Sequence, residues 1–171
     1  MSNDLPYRPN VGAVLFNRAG HCFVGRRIDM PPGLAHVWQF PQGGIDPGET
    51  PEAALWRELT EEIGSTNATI LAECPEELTY DLPPHLIPTL FGGRFRGQRQ
   101  RWFALRFLGA DTEIDIVSHQ HAEFAEWRWV SLADAPAMAI DFKRPIYERL
   151  AQEFARFARE GQGSALDPLG P

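Results

Sequence analysis

Between Gly43 and Ser65 the chain places a glycine pair, a helix start, a cluster of carboxylates and a helix stop in one short stretch. Thr50-Pro51 can open a helix, because a threonine side chain caps free backbone N–H groups and proline tolerates the first helical position. Gly64 can close it. Trp56, Leu59 and Ile63 recur at helical spacing and give an apolar stripe for a core, which leaves Glu58, Glu61 and Glu62 on roughly the opposite side. Like charges three and four residues apart repel by about 0.2–0.5 kcal/mol per pair, and acids near a helix C-terminus oppose its macrodipole. A hard divalent cation reverses both penalties: Mg²⁺ or Mn²⁺ prefers oxygen ligands and is held by a few carboxylates together with substrate phosphates. The plain alternative is a solvated acidic face.

The spacing of Gly43, Glu49, Arg57-Glu58-Leu59, Glu61-Glu62 and Gly64 bears on that choice. It resembles the signature of the Nudix hydrolases, with Ser65 standing where an aliphatic residue is usual. The resemblance implies an α/β fold, an α/β/α sandwich with a mixed sheet, and attack by water on a diphosphate linked to some other group. It also implies that the Gly43 carbonyl, Glu58, Glu61 and Glu62 bind the metal, with Glu123 as an extra acid brought from a loop. Glu58 or Glu61 first, and Glu123 next, would accept the water's proton. Glu49 and Arg57 would orient the carboxylates.

At 171 residues and 43% hydrophobic the chain can fill one core, so a single domain over residues 8–160 is expected. Residues 161–171 carry too little periodic apolar surface to offset ordering entropy and are expected as a flexible tail. Long apolar runs and a basic-then-apolar leader are both absent, which predicts a cytoplasmic protein without membrane association. Cys22 and Cys74 read as reduced packing residues. A net charge of −7 opposes broad affinity for nucleic acid, including duplex DNA, but not binding of short anionic substrates. No obligate protein partner is evident.

Strands are expected at Val11–Phe16, His21–Arg27 and Trp38–Phe40, the last leading into a loop at Pro41 to Gly44. Further strands are expected at Ala68–Glu73, Glu77–Leu82, Trp102–Leu108 and Glu126–Val130. Ile146, Leu150, Phe154 and Phe157 predict an amphipathic helix over Phe142–Arg159. His119 and His121 lie in a polar loop where exposure to solvent is the simpler reading.

Stretches outside the signature narrow the resemblance, among them Tyr7 to Gly12, Trp38 to Gly44, Gly97 to Phe103 and Phe142-Lys143-Arg144. They look like the bacterial RNA pyrophosphohydrolases and the similar diadenosine polyphosphate hydrolases. The first group removes pyrophosphate from 5′-triphosphorylated RNA ends, and the second cuts a polyphosphate bridge between two nucleosides. Arg8 and Arg27 match substrate-contacting positions there, and Tyr80 and Phe142 match positions that contact or stack on bases. Arg99 and Arg101, in an arginine-rich stretch, offer rigid forks for phosphate oxygens. Lys143 sits at a helix start, where a cation opposes the dipole unless an anion binds. The rival is a noncatalytic nucleotide sensor or RNA-end-binding protein on the same fold.

Overall fold

The computed structural model describes residues 4–29, 36–118 and 122–159. The tail expected at 161–171, and His119 and His121, lie outside the described residues. Strand β1 (Tyr7–Phe16) is the spine. On one side it turns back into β2 (Cys22–Arg27), which pairs along its length with β8 (Phe124–Val130) and briefly with β3 (Trp38–Gln39). On the other side it pairs in parallel with β7 (Gly97–Phe107), from Tyr7 beside Gly97 to Phe16 beside Arg106. Two antiparallel strands, β5 (Ala68–Glu73) and β6 (Leu78–Asp81), lie along β7. The sheet is therefore mixed.

Successive side chains of a strand point to opposite faces, and β1 uses both. Val11, Ala13 and Leu15 join Leu55, Leu59 and Ile63 of helix α1 (Pro51–Ile63) in one core. Val14 and Phe16 join Ile146, Tyr147 and Leu150 of helix α3 (Arg144–Glu153) in a second core. Each fully buried Leu, Ile or Phe contributes about 1.5–3 kcal/mol, so both helices are held to the sheet by packing. A short helix, α2 (Ala135–Met138), completes the α3 side. This is the expected α/β/α sandwich.

The ends of α1 follow the sequence reading. The Thr50 hydroxyl accepts from the Ala53 N–H at 3.1 Å, and Gly64 closes the helix with a left-handed φ of 72°. Its core stripe is Leu55, Leu59 and Ile63, with Trp56 only partly buried. Three expectations change. Gln42–Gly44 is a strand, β4, paired antiparallel with β1, where a loop was expected. Strand β7 begins at Gly97 and not at Trp102, because pairing with β1 extends it through polar Gln98 and Gln100. The last helix breaks at Phe154 and resumes over 155–159; the Phe157 N–H bonds to the Phe154 carbonyl at 3.0 Å, a tight turn that buries both rings. Among the described residues no helix is long and apolar enough to cross a membrane, and Cys22 and Cys74 are buried free thiols.

Candidate active site

Strand β4 crosses in front of α1 so closely that a Cβ on Gly43 would overlap the Glu58 carboxyl group, and one on Gly44 would overlap the Arg8 guanidinium. Both glycines are there for close approach. Beside them opens a pocket of about 290 Å³. Gly43, Glu58, Glu61 and Glu123 line one part of it, and Arg8, Arg27, Tyr80, Phe142 and Lys143 line another. Residues far apart in sequence thus meet in one place.

Arg57 ties the acidic side together. Its Nε and Nη2 donate to both Glu49 oxygens at 2.8 Å, Nη1 donates to Glu58 Oε1 at 2.8 Å, and Nη2 also donates to the Gly44 carbonyl at 2.8 Å. The arginine's hydrogen bonds, helped by the Asp46 N–H, hold the Glu49 carboxyl down at about 2. Glu61 is half exposed and reaches Arg57 only at 3.5 Å. Glu62 does not face solvent as the helical spacing predicts. It is 2% exposed, and its Oε1 accepts from the Gln42 N–H at 2.9 Å, fastening β4 to α1.

Burial makes ionisation of two of these carboxylates, Glu58 and Glu62, unfavourable. Burial, with the neighbouring Glu61 charge, pushes Glu58 up to about 7 despite the bond from Arg57. Burial, with Glu58 and Glu123 nearby, drives Glu62 well above the usual carboxylate range. Opposite them, burial and the nearby Arg27 lower the Lys143 ammonium to about 8. Its Nζ lies 3.5 Å from Gln39 Oε1 and 5.8 Å from the centre of the Tyr80 ring. Phe142 packs against Tyr80 with 5.6 Å between ring centres. An oxygen-only donor set in which burial makes Glu58 and Glu62 hold protons too readily suits a hard divalent cation.

Two expectations follow from this geometry. In metal-free protein the raised Glu58 value makes the folded chain bind more protons than the unfolded chain between about pH 4.5 and 7, and the raised Glu62 acts in the same direction. The stabilising contribution of Glu58 is complete below that window and lost as pH rises through it. The melting temperature without metal should therefore fall between pH 5 and pH 7.5, and saturating Mg²⁺ should remove the fall. A flat metal-free profile in thermal scans would contradict the burial of these charges. Separately, Gly43→Ala should displace the Glu58 carboxyl and lower kcat by about tenfold or more, since small misplacements at a reacting centre are costly. Unchanged kcat would show that Glu58 has room to move.

A sequence profile described as the NUDIX domain matches residues 6–150. The chain belongs to the Nudix hydrolase family. Among its relatives, this Nudix hydrolase is 61% identical over 155 residues to an RNA pyrophosphohydrolase of Acidiphilium cryptum, covering 91% of this chain and 94% of that one. It is 52% identical over 160 residues to an RNA pyrophosphohydrolase of Gluconacetobacter diazotrophicus, covering 91% and 96%. Among solved structures, a C. elegans Ap4A hydrolase binary complex aligns with a TM-score of 0.62 at 21% identity, over 87% of this chain and 98% of that chain. The E. coli dihydroneopterin triphosphate pyrophosphohydrolase aligns with 0.62 at 19% identity, over 86% and 99%. At such identities these structures show the shared fold.

Two expected cations of this Nudix hydrolase lie elsewhere. Arg99 and Arg101 are absent from the pocket lining and are paired with acids of neighbouring segments, Glu77 at 3.4 Å and Glu73 at 2.6 Å. The alternate residues Gln98 and Gln100 are buried instead. Gln98 accepts from Arg8 at 2.7 Å and from Asn10 at 2.9 Å, and donates to the Tyr80 hydroxyl at 2.7 Å. Asn10 also donates to Gln42 at 2.8 Å and accepts from Gln100 at 2.9 Å. This buried amide network braces the pocket, and the sequence reading missed it. Its trace was the alternation of Gln98 and Gln100 with the arginines, in a strand whose next inward residue is Trp102.

Proposed function

We propose that this Nudix hydrolase removes pyrophosphate from 5′-triphosphorylated RNA ends, as a single domain over residues 8–160 acting in the cytoplasm. The observation that carries the reading is the pocket itself, where Glu58, Glu61 and Glu123 meet Arg8, Arg27 and Lys143 beside two aromatic rings. The acids suit metal and water, the cations suit a chain of phosphates, and the rings suit a base. RNA pyrophosphohydrolase is the name of the relatives that match along nine-tenths of the chain. Two buried free thiols fit a reducing compartment.

In this reading Glu58, Glu61, Glu62 and Glu123, with the Gly43 carbonyl, hold Mg²⁺ or Mn²⁺. When bound, such an ion neutralises phosphate charge and lowers the pKa of a coordinated water. Glu58, held beside the water site by Arg57, takes the water's proton. Arg57 and Glu49 keep Glu58 and β4 in register. Arg8, Arg27 and Lys143 orient the phosphates and offset the charge that builds up as the anhydride bond breaks.

A second reading, hydrolysis of diadenosine polyphosphates, has its own support. A neighbouring pocket of about 270 Å³ shares Arg27, Leu90, Phe142 and Lys143 with the first and is lined further by Trp38, Leu86 and Ile140. It offers space for a second base. The test is kcat/KM for triphosphorylated RNA and for diadenosine tetraphosphate, measured with Mg²⁺ on one preparation, because preference is a ratio of those values. RNA should be favoured by about tenfold or more. The reverse ratio would move the assignment to the dinucleoside substrate, and binding without turnover of either would favour the noncatalytic sensor.

A further inference from the structure

The segment between β6 and β7 contains Phe91 with a φ of 51°, the one non-glycine residue with a positive φ among the described residues. Gly92 and Gly93 follow it, also left-handed. A bulky residue adopts this conformation rarely, and only where its surroundings impose it. Glycine would satisfy the same backbone without strain, so the position must be understood through its ring.

That ring lines the pocket, and the Arg8 guanidinium lies over its face with Cζ 4.7 Å from the centre. The same guanidinium donates from Nη1 to Gln98 at 2.7 Å, and its Nη2 rests against Gly44. Arg8 is thus fixed by an aromatic face, an amide oxygen and a bare backbone. None of these neutralises it, and among the described residues Arg8 forms no ion pair. Arg27, by contrast, is paired with Asp29 at 2.7 Å.

We propose that Phe91 is a positioning residue: its strained backbone presses the ring onto Arg8 and fixes that guanidinium as a rigid phosphate-binding fork with its full charge directed into the pocket. This rests on reading the pocket as a polyphosphate site. The ring acts through Arg8 and touches neither metal nor reacting atoms.

The test is a double-mutant cycle on the full chain, using Phe91→Leu, Phe91→Trp, Arg8→Ala and the Arg8→Ala/Phe91→Leu pair. The readouts are kcat, KM and melting temperature, with whichever of triphosphorylated RNA or diadenosine tetraphosphate the wild type turns over. Phe91→Leu keeps apolar volume but removes the π face, so kcat/KM should fall about 3- to 30-fold, mainly through KM. Phe91→Trp should stay near wild type. In the Arg8→Ala background Phe91→Leu should have almost no further effect, because a ring that works through Arg8 has nothing left to position. An undiminished loss in that background, or wild-type kcat/KM for Phe91→Leu, would overturn the proposal. So would a loss explained by a matching drop in melting temperature, which marks a structural role. Turnover of the dinucleoside polyphosphate alone would contradict the RNA reading and leave the cycle decisive for Phe91.

Discussion

Glu58→Gln should fold normally and lose about 10²- to 10⁴-fold in kcat, the range ascribed to a positioned general base. The amide keeps the size that Gly43 accommodates and an oxygen that can still accept from Arg57, so the lost element is charge and proton affinity. Two accompanying effects separate this from collapse of the site. Without metal the variant should melt higher at pH 7.5 than wild type, because a buried carboxylate that disfavours ionisation is gone. Its metal-free stability should also depend less on pH between 5 and 7.5. Glu61→Gln should show a smaller gain in stability, since Glu61 is half exposed. A Glu58→Gln enzyme with kcat within threefold of wild type at saturating Mg²⁺ would remove Glu58 from the proton-accepting role.

Lys143→Met is expected to have the next largest effect. The ammonium stands in the pocket wall between the Tyr80 ring and the Gln39 side-chain amide oxygen, and methionine keeps the apolar stem while deleting the charge. A lost hydrogen bond to a charged group costs about 1.5–3 kcal/mol, so kcat/KM should fall roughly 10- to 150-fold. The Lys143 value is lowered in the fold, so the folded chain binds fewer protons than the unfolded one between about pH 8 and 10.5. This lysine therefore opposes folding below that window, and its penalty disappears as pH rises through it. The variant should not melt lower than wild type at pH 7, and it should lose the wild-type gain in stability between pH 8 and 10. Equal kcat/KM on RNA and dinucleoside polyphosphate for both proteins would make Lys143 a bystander.

What could be read in the sequence was local. Thr50, Pro51 and Gly64 announce the bounds of α1 through capping chemistry, which needs no distant partner. The run from Val11 to Phe16 announces a strand covered on both faces. What escaped depended on contacts between remote segments. Strand β4 is three residues long and exists because β1 pairs with it. Gln98 and Gln100 are inside because Asn10, Gln42 and Tyr80 satisfy them, and a polar residue gives no hydropathy signal of such partners. The arginines that alternate with them, Arg99 and Arg101, stand out by charge, yet strand alternation separates them from the buried glutamines and acids of neighbouring segments pair with them. Helical spacing puts Glu62 opposite the apolar stripe with Glu58 and Glu61, but it sets only an angle around α1 and cannot show that β4 lies across that side chain.

The parallel pairing of β1 with β7 also constrains how the protein is made. Tyr7 has its partner at Gly97, so the apolar spine leaves the ribosome long before the strand that covers its edge. At about 5–20 residues per second, roughly 5–20 s separate the two. During that interval β1 offers open hydrogen-bonding groups and a hydrophobic surface to other nascent chains and to chaperones. Ribosome-bound chains halted before residue 97 should therefore be cut readily by protease within β1, whereas chains released at full length should resist. The same connection makes the candidate pocket a late product of synthesis, since Arg8 reaches its place only when Gln98 arrives to hold it.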